Sequence, residues 1–425
     1  MNVLVIGNGG REYALGYAIK KSPSCRQLYF MPGNGGTSKL GINLQANIND
    51  RSEIINEIKK REIDFVVIGP EQPLAEGLKD FFNSKGIIAF GPTSSAARIE
   101  SEKSFSKNLM KKYDIPTAGY EIFEKQDYEK ALFYLKNANY PVVIKADGLA
   151  AGKGVTIPHS FDEASSLLKS YFDDSDFGEA GNKIIVEEFM EGFEVSIFVI
   201  TDGEKYFILP AAQDYKRIGN NDTGKNTGGM GSFAPTPFLT DTLLKVIEKS
   251  VIERTLNAMM KENCKFEGCL YCGLMITKEG PKVVEFNCRF GDPETQSVLP
   301  LLNGDFLKFL YSYSSGSPDN NLISYNDKFA LSVVMASGGY PGEFTKGYEV
   351  VGLDKIPADV IINHAGTIEK EGKILTSGGR VLAVTVTGQK GHYSQVKDKV
   401  YSEISKINFT NAYYRSDIGE KLIKH

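Results

Sequence analysis

The residues best equipped for chemistry lie in the run Glu285-Phe286-Asn287-Cys288-Arg289-Phe290-Gly291-Asp292-Pro293-Glu294. On a strand, Glu285 and Asn287 point to one face, because side chains alternate with period two. Two oxygen ligands side by side suit Mg2+, which completes its shell with water and phosphate oxygens. Arg289 continues that face and has the fork to grip a carboxylate or phosphate. Glu285 and Asn287 alone would read as the polar face of an exposed strand; Arg289 and Asp292 in succession argue for a site.

A second group is Lys145-Ala146-Asp147-Gly148-Leu149-Ala150-Ala151-Gly152-Lys153-Gly154-Val155. It is not a Walker A loop: Asp147 stands at the first required glycine, Gly154 replaces the Ser or Thr after the lysine, and a strand follows. It reads instead as a small-residue hairpin with Lys145 at its base and Lys153 at its tip, able to close over polyphosphate. Thr223 to Gly231, preceded by Gln213 to Arg217, is a long glycine-rich loop of the kind that is commonly functional. Gly7-Asn8-Gly9-Gly10-Arg11-Glu12 fails as a dinucleotide fingerprint, because Glu12 occupies the third glycine position and no acidic residue ends the second strand. From that turn alone, an anion site at a helix N-terminus and a plain tight turn stand even.

The elements that must position these groups are legible as periodic runs. Val3 to Ile6, Leu28 to Met31, Phe65 to Ile68 and Ile87 to Phe90 are apolar strands alternating with helical stretches such as Arg11 to Lys20. That pattern predicts a parallel sheet with ligand loops at the strand C-termini. Farther on, Val142 to Lys145, Val155 to Ile157, Ile184 to Glu187 and Glu194 to Ile200 read as strands. Ser160 to Glu163 has capping-box spacing for a helix running to about Phe172. Asp241 to Lys261 has helical spacing, and Leu270 to Ile276 with Lys282 to Phe286 predicts a hairpin. The last hundred or so residues are β-rich, with runs at Ala330 to Met335 and Val381 to Thr387.

Composition narrows the class. At about 150 residues per domain, 425 residues suggest three domains. A net charge of −4 gives no basic excess for nucleic acid. No run is long and apolar enough for a transmembrane helix, and the N-terminal stretch lacks the pattern of a signal peptide. Five cysteines suit a reducing, cytoplasmic setting. Cys264, Cys269, Cys272 and Cys288 invite a zinc reading, but Cys269 and Cys272 would point to opposite faces of one strand, so core packing is expected. His159, His364, His392 and His425 show no metal-binding spacing.

Taken in order, VLVIGNGGREYAL, MPGNGGT, GPEQPLAEG, PVVIKADGLAAGKGV, IVEEFMEGFEVS, QDYKRIGNNDTGKNTGGMG, VVEFNCRFGDPETQ, HAGT and SGGRVLAVT resemble the phosphoribosylamine–glycine ligase family of the ATP-grasp superfamily, across essentially the whole chain. The resemblance implies an N-terminal Rossmann-like parallel α/β domain at 1–102. It further implies a two-lobed ATP-grasp domain at 103–326, with a small lobe near 116–189, and a C-terminal β-rich domain at 327–425. It implies ATP-dependent joining of glycine to 5-phosphoribosylamine in purine biosynthesis, by a monomer with small-molecule substrates and no nucleic-acid or membrane partner.

The same resemblance implies residue roles. Lys103 and Lys145 would meet ATP phosphates beneath a flap containing Gly152, Lys153 and Gly154. Glu187, Glu188 and Phe189 would form the adenine hinge, and Glu194 would bind ribose. Glu285 and Asn287 would hold Mg2+ or Mn2+. Arg289 is expected to orient the acyl phosphate or the glycine carboxylate, with Lys145 and Asp292 as further catalytic residues. Asp214, Lys216 and the loop Thr227, Gly228, Gly229, Met230 and Gly231 would contact substrate. Gly9, Gly10 and Arg11, with Gly69, Pro70 and Glu71, would hold phosphoribosylamine, its phosphate at the helix N-terminus. The chain departs from the family at Tyr13, where histidine is usual; a phenol can hydrogen-bond but cannot titrate near pH 7. Other ATP-grasp carboxylate–amine ligases, a non-catalytic nucleotide-binding regulator on the same fold and a dehydrogenase are the alternatives. The motif set, the retained Lys145, Glu285 and Asn287, and the broken fingerprint weigh against them in turn.

Overall fold

The computed structural model describes residues 1–148, 154–173 and 182–423. Strands Asn2–Gly7 (β1), Gln27–Pro32 (β2), Ile42–Asn43 (β3), Phe65–Ile68 (β4) and Ala89–Phe90 (β5) form a parallel sheet in the order β3-β2-β1-β4-β5. Val3 to Ile6 are wholly buried. Val3 and Val5 pack with Leu28 and Phe30 on one face, Leu4 and Ile6 with Met31 and Val66 on the other. Burial on both faces is why these strands read as unbroken apolar runs. The strand order reverses between β1 and β4, so the loops after them, at Asn8–Gly9 and Gly69–Pro70, open onto the crevice where such sheets take ligands.

Tyr120–Glu124 (β6), Val142–Ala146 (β7), Val155–Thr156 (β8) and Lys183–Glu188 (β9) make an antiparallel sheet in the order β6-β9-β7-β8. Helices Tyr128–Lys136 and Phe161–Asp173 pack on it through Ala131, Leu135, Ala164 and Leu168. The second helix starts where its capping pattern predicts, with the Glu163 N–H donating to Ser160 Oγ at 3.3 Å.

Phe193–Thr201 (β10) and Tyr206–Ile208 (β11) are followed by the short strands Gln213–Asp214 (β12), Arg217–Gly219 (β13), Thr223–Asn226 (β14) and Gly231–Ala234 (β15). The expected hairpin is Gly268–Thr277 (β16) with Gly280–Asn287 (β17), completing a sheet in the order β11-β10-β16-β17. The expected helix from Asp241 to Lys261 is continuous but contains a π-helical segment, Glu248–Ile252. Cys272 packs on one face of this sheet and Cys269 on the other, and all five cysteines are free thiols.

Leu302–Gly304 (β18) and Ile323–Tyr325 (β19) pair as a ribbon. Lys328–Ser337 (β20), Ile361–His364 (β21), Thr367–Lys370 (β22), Lys373–Thr376 (β23), Arg380–Gln389 (β24) and Ala412–Tyr413 (β25) follow. The C-terminal sheet runs β12-β15-β20-β24-β21, with β25 added beside β20. It therefore draws two strands, β12 and β15, from the glycine-rich region more than ninety residues upstream of residue 327. The N-terminal turn joins it too: Asn34 Nδ2 donates to His364 O at 2.9 Å, and the Gly35 N–H to Thr367 O at 2.9 Å. No described helix is long and apolar enough to cross a membrane.

Candidate active site

β17 carries an irregularity opposite Gly273 and Leu274, where Glu285 pairs with Gly273 and Val283 with Leu274. Beyond it, Phe286 and Cys288 bury in the core while Glu285, Asn287 and Arg289 take the other face. Burial works to raise the Glu285 carboxyl, but Lys216, Lys145, Lys103 and Arg289 outweigh it and hold it below the ordinary carboxylate range. The carboxylate is thus kept charged in a place that would otherwise neutralise it. The Asn287 amide makes no side-chain hydrogen bond among the described residues and stays available as a neutral oxygen ligand. No group of three or more His, Cys, Asp or Glu side chains is arranged for a metal ion among the described residues. One carboxylate and one amide oxygen on a common face would suit a cation that takes few protein ligands and several phosphate and water oxygens.

The lysines expected at ATP phosphates converge on this strand. Lys103 opens helix Lys103–Lys112 and donates to Gly148 O at 2.5 Å. Burial lowers its ammonium pKa, opposed by Glu285. Lys145, on β7, donates to Val284 O at 3.1 Å and lies 2.9 Å from Glu187 Oε1. Glu187, expected at adenine, is only 3% exposed, its carboxylate engaged by lysines. Glu188 and Phe189, expected beside it, follow, with Phe189 exposed. Gly152 and Lys153 lie outside the described residues, while Gly154 O accepts the Ala146 N–H at 2.9 Å. Glu194 is ion-paired with Lys216. Burial pushes the Asp214 carboxyl up, with Lys216 opposing and Glu294, Glu194 and Glu285 adding to the rise.

Arg289 lies 2.8 Å from Glu100 Oε1 and donates from Nε to Glu71 Oε2 at 3.2 Å. Burial would raise Glu71, yet Arg289 and Arg11 hold its pKa at about 2. Glu100, more deeply buried, is raised despite Arg289. At the helix N-terminus, where a phosphate seat is expected, two of the N–H groups have carboxylate partners. The Gly9 N–H donates to Glu12 Oε2 at 2.6 Å, and the Arg11 N–H hydrogen-bonds Asp292. Two carboxylates already occupy the helix N-terminus and would repel a phosphate dianion. Arg11 Nη1 donates to Gly69 O at 3.0 Å. Gly69 is required by the buried carboxylate, since a Cβ there would lie 2.2 Å from Glu12 Oε1.

Asp292 accepts from Gln296 Nε2 at 2.7 Å and pairs with Arg380 at 3.4 Å. Arg380 Nη1 also donates to Gly228 O at 2.6 Å and Asp292 O at 2.7 Å, tying the Thr227–Gly231 loop to the Asp292 turn. Thr227 Oγ1 donates to Lys216 O at 2.8 Å. Met230 and Gly231, both expected to contact substrate, are held by backbone hydrogen bonds to the C-terminal sheet. The Met230 side chain is wholly buried and Gly231 pairs with Val333 inside the C-terminal sheet, so both anchor the loop.

Comparison with known proteins decides the family. Models of the N, ATP-grasp (A) and C domains of phosphoribosylglycinamide synthetase match residues 1–100, 101–295 and 330–421. The chain belongs to the phosphoribosylglycinamide synthetase family. It is 44% identical over 419 residues to the phosphoribosylamine–glycine ligase of Caldanaerobacter subterraneus subsp. tengcongensis, covering 99% of each. It is 43% identical to a bifunctional purine biosynthetic protein of Pichia angusta, matching over the whole of this chain but spanning only 54% of that protein. The crystal structure of the Thermotoga maritima phosphoribosylamine–glycine ligase superposes with a TM-score of 0.84 at 33% identity, covering 98% of this chain and 100% of that one.

Within this family fold, sequence reading missed Glu12, Glu100, Lys107, Glu294 and Arg380. Glu12 and Arg380 lay in quoted motifs, GGREY and SGGRV, and their charge amid glycines was the available signal. Glu100 and Lys107 sit on ordinary helix faces and gave none. Tyr13 is buried, its ring centroid 5.6 Å from that of His364, and burial pushes its phenol up to about 12.

Proposed function

We infer that the chain ligates glycine to 5-phosphoribosylamine with ATP, yielding glycinamide ribonucleotide, ADP and phosphate in de novo purine biosynthesis. The observation that carries this reading is the convergence of Lys103, Lys145, Lys216 and Arg289 on Glu285, in a chain whose residues 1–295 and 330–421 match the family's three domains.

A carboxylate is a poor acyl donor, because oxide would have to leave. A glycine carboxylate oxygen therefore attacks the γ-phosphorus, the bond to the β-bridging oxygen breaks, and ADP departs. The sugar amine then attacks the carbonyl carbon of glycyl phosphate, the C–O bond to phosphate breaks, and the nitrogen sheds its proton. Phosphoryl transfer chiefly needs positioning and charge neutralisation, which Lys103, Lys145 and Arg289 supply. Glu285 and Asn287 are suited to hold Mg2+ or Mn2+, which when bound would neutralise the β and γ phosphates. Glu194, Asp214 and Glu285 surround Lys216, and Glu294 acts on Asp214. These carboxylates suit the ammonium group of glycine. Glu12 and Asp292 suit sugar hydroxyls better than a phosphate.

The test is phosphate release from ATP with purified protein. Release should require both glycine and freshly generated phosphoribosylamine, and a preference for β-alanine or aspartate would overturn the glycine assignment. Lys145→Met and Glu285→Ala should abolish turnover in folded protein; full activity in either would refute the site.

A further inference from the structure

Lys107, on the helix that begins with Lys103, is one of the most deeply buried charged groups in the molecule, at 3% exposure. Its Nζ lies 2.9 Å from Glu187 Oε2, while Lys145 Nζ lies 2.9 Å from Glu187 Oε1. One carboxylate is thus shared between two ammonium groups, and all three side chains are at most 7% exposed. Lys107 is fixed further by donating to Thr117 Oγ1 at 2.8 Å, and Thr117 donates in turn to Val283 O at 2.7 Å, next to the strand residue Val284 that holds Lys145.

We propose that Lys107 is a positioning residue that keeps Lys145 electrostatically available to the ATP phosphates by taking up half of the Glu187 charge. The arithmetic is simple. With two lysines on one carboxylate, the triad carries a net charge of +1 and can attract phosphate. With one lysine, Glu187 and Lys145 form a neutral pair that has little left to offer. Low-dielectric surroundings magnify that difference. The inference rests on Lys145 being a phosphate-binding lysine.

The environment of Lys107 bears on its pH response. Glu187 and Glu188 face it from β9, Lys145 from β7, and the Tyr120 ring on β6 lies 5.6 Å from Nζ. Burial, the largest influence, pulls its ammonium down to about 8, with Glu187 opposing. Loss of that proton as pH rises through about 8 should weaken nucleotide binding.

The experiment measures binding of a non-hydrolysable ATP analogue with Mg2+ to the full chain by calorimetry, together with the KM values for ATP and glycine. Lys107→Met should raise the nucleotide Kd at least about tenfold, the scale of losing one charge a few ångströms away in a partly screened site, while leaving the glycine KM unchanged. Lys107→Arg should restore most of the affinity and remove the weakening of binding above pH 8. The double variant Lys107→Met/Glu187→Gln also carries net +1 and should recover affinity relative to Lys107→Met; this readout stands even if the single variant is less stable. Wild-type affinity in Lys107→Met, or no recovery in the double variant, overturns the proposal. Lys145→Met separates the two readings. Lost affinity there with wild-type affinity in Lys107→Met sinks this inference alone, whereas undiminished affinity in Lys145→Met sinks the Lys145 assignment and the inference with it.

Discussion

Replacing Arg415 with methionine should loosen the β13–β14 hairpin without removing any side chain proposed to meet a ligand. Arg415 is fully buried. Its guanidinium donates to Asp417 at 2.8 and 2.6 Å, to Asp222 Oδ1 at 2.9 Å and to Arg217 O at 2.9 Å, and it lies 5.0 Å from the centroid of the Tyr215 ring. It thereby clamps the β13–β14 hairpin, which stands between Lys216 and Thr227, against the C-terminal tail. Removing one partner of a buried ion pair costs about 3–5 kcal/mol. Asp222 is 40% exposed and keeps Lys421 at 2.7 Å, while Asp417 keeps the Asn221 N–H at 2.8 Å. Those remaining partners bring the expected cost down to about 2–3 kcal/mol. Domains of a chain this long need not melt together, so hydrogen exchange across residues 217–226 is the direct assay. Protection there should fall on the order of thirtyfold or more, and the KM for glycine should rise about tenfold with a smaller change for ATP. Adding Asp417→Asn removes the orphaned charge and should return part of the protection. Unchanged exchange and unchanged glycine KM in Arg415→Met would refute the reasoning.

Three further outcomes follow from particular contacts. Gly229 has φ +110°, and a Cβ there would lie 2.3 Å from Pro293 Cδ; Gly229→Ala should cost about 2–4 kcal/mol and depress kcat/KM, and wild-type kinetics would refute the close packing of the two loops. Glu71 has a folded pKa of about 2 against an ordinary 4.5, so its contribution is present above about pH 4.5 and is lost as pH falls toward 2. With its side chain 32% exposed, the effect is on the order of 2 kcal/mol after screening; Glu71→Gln should flatten the acid limb of a stability–pH curve, and an unchanged limb would count against the pairing with Arg289 and Arg11. The Tyr13 phenol stays neutral across the working pH range. Tyr13→Phe should therefore leave kcat/KM within about twofold and its pH profile superimposable, and a shifted profile would show an acid–base role.

Much of the fold was legible because the signals are local. The β1 and β4 runs, the hairpin β16–β17 and the helix after Ser160 each follow from short apolar runs, helical spacing, or turn and cap chemistry written within a dozen residues. The common face of Glu285, Asn287 and Arg289 was legible for the same reason. The opposed faces of Cys269 and Cys272 likewise came from strand geometry alone. The π segment inside the helix from Asp241 to Lys261 was not legible, since helical spacing continues through it.

The sequence by itself determined which residues could do chemistry and which strands and turns would carry them, because covalent geometry and backbone preference act over a few residues. Only the tertiary structure decided what each charge meets. Arg289 finds Glu71 across 218 residues of chain and Arg380 finds Asp292 across 88. The helix N-terminus at Gly9 is filled by the neighbouring Glu12 and by Asp292 from another domain, and Lys107 shares Glu187 with Lys145. No periodicity encodes such pairings. They are set by the low dielectric of the assembled cleft, where an unpaired charge is costly and each buried group must settle against whatever partner the packing brings.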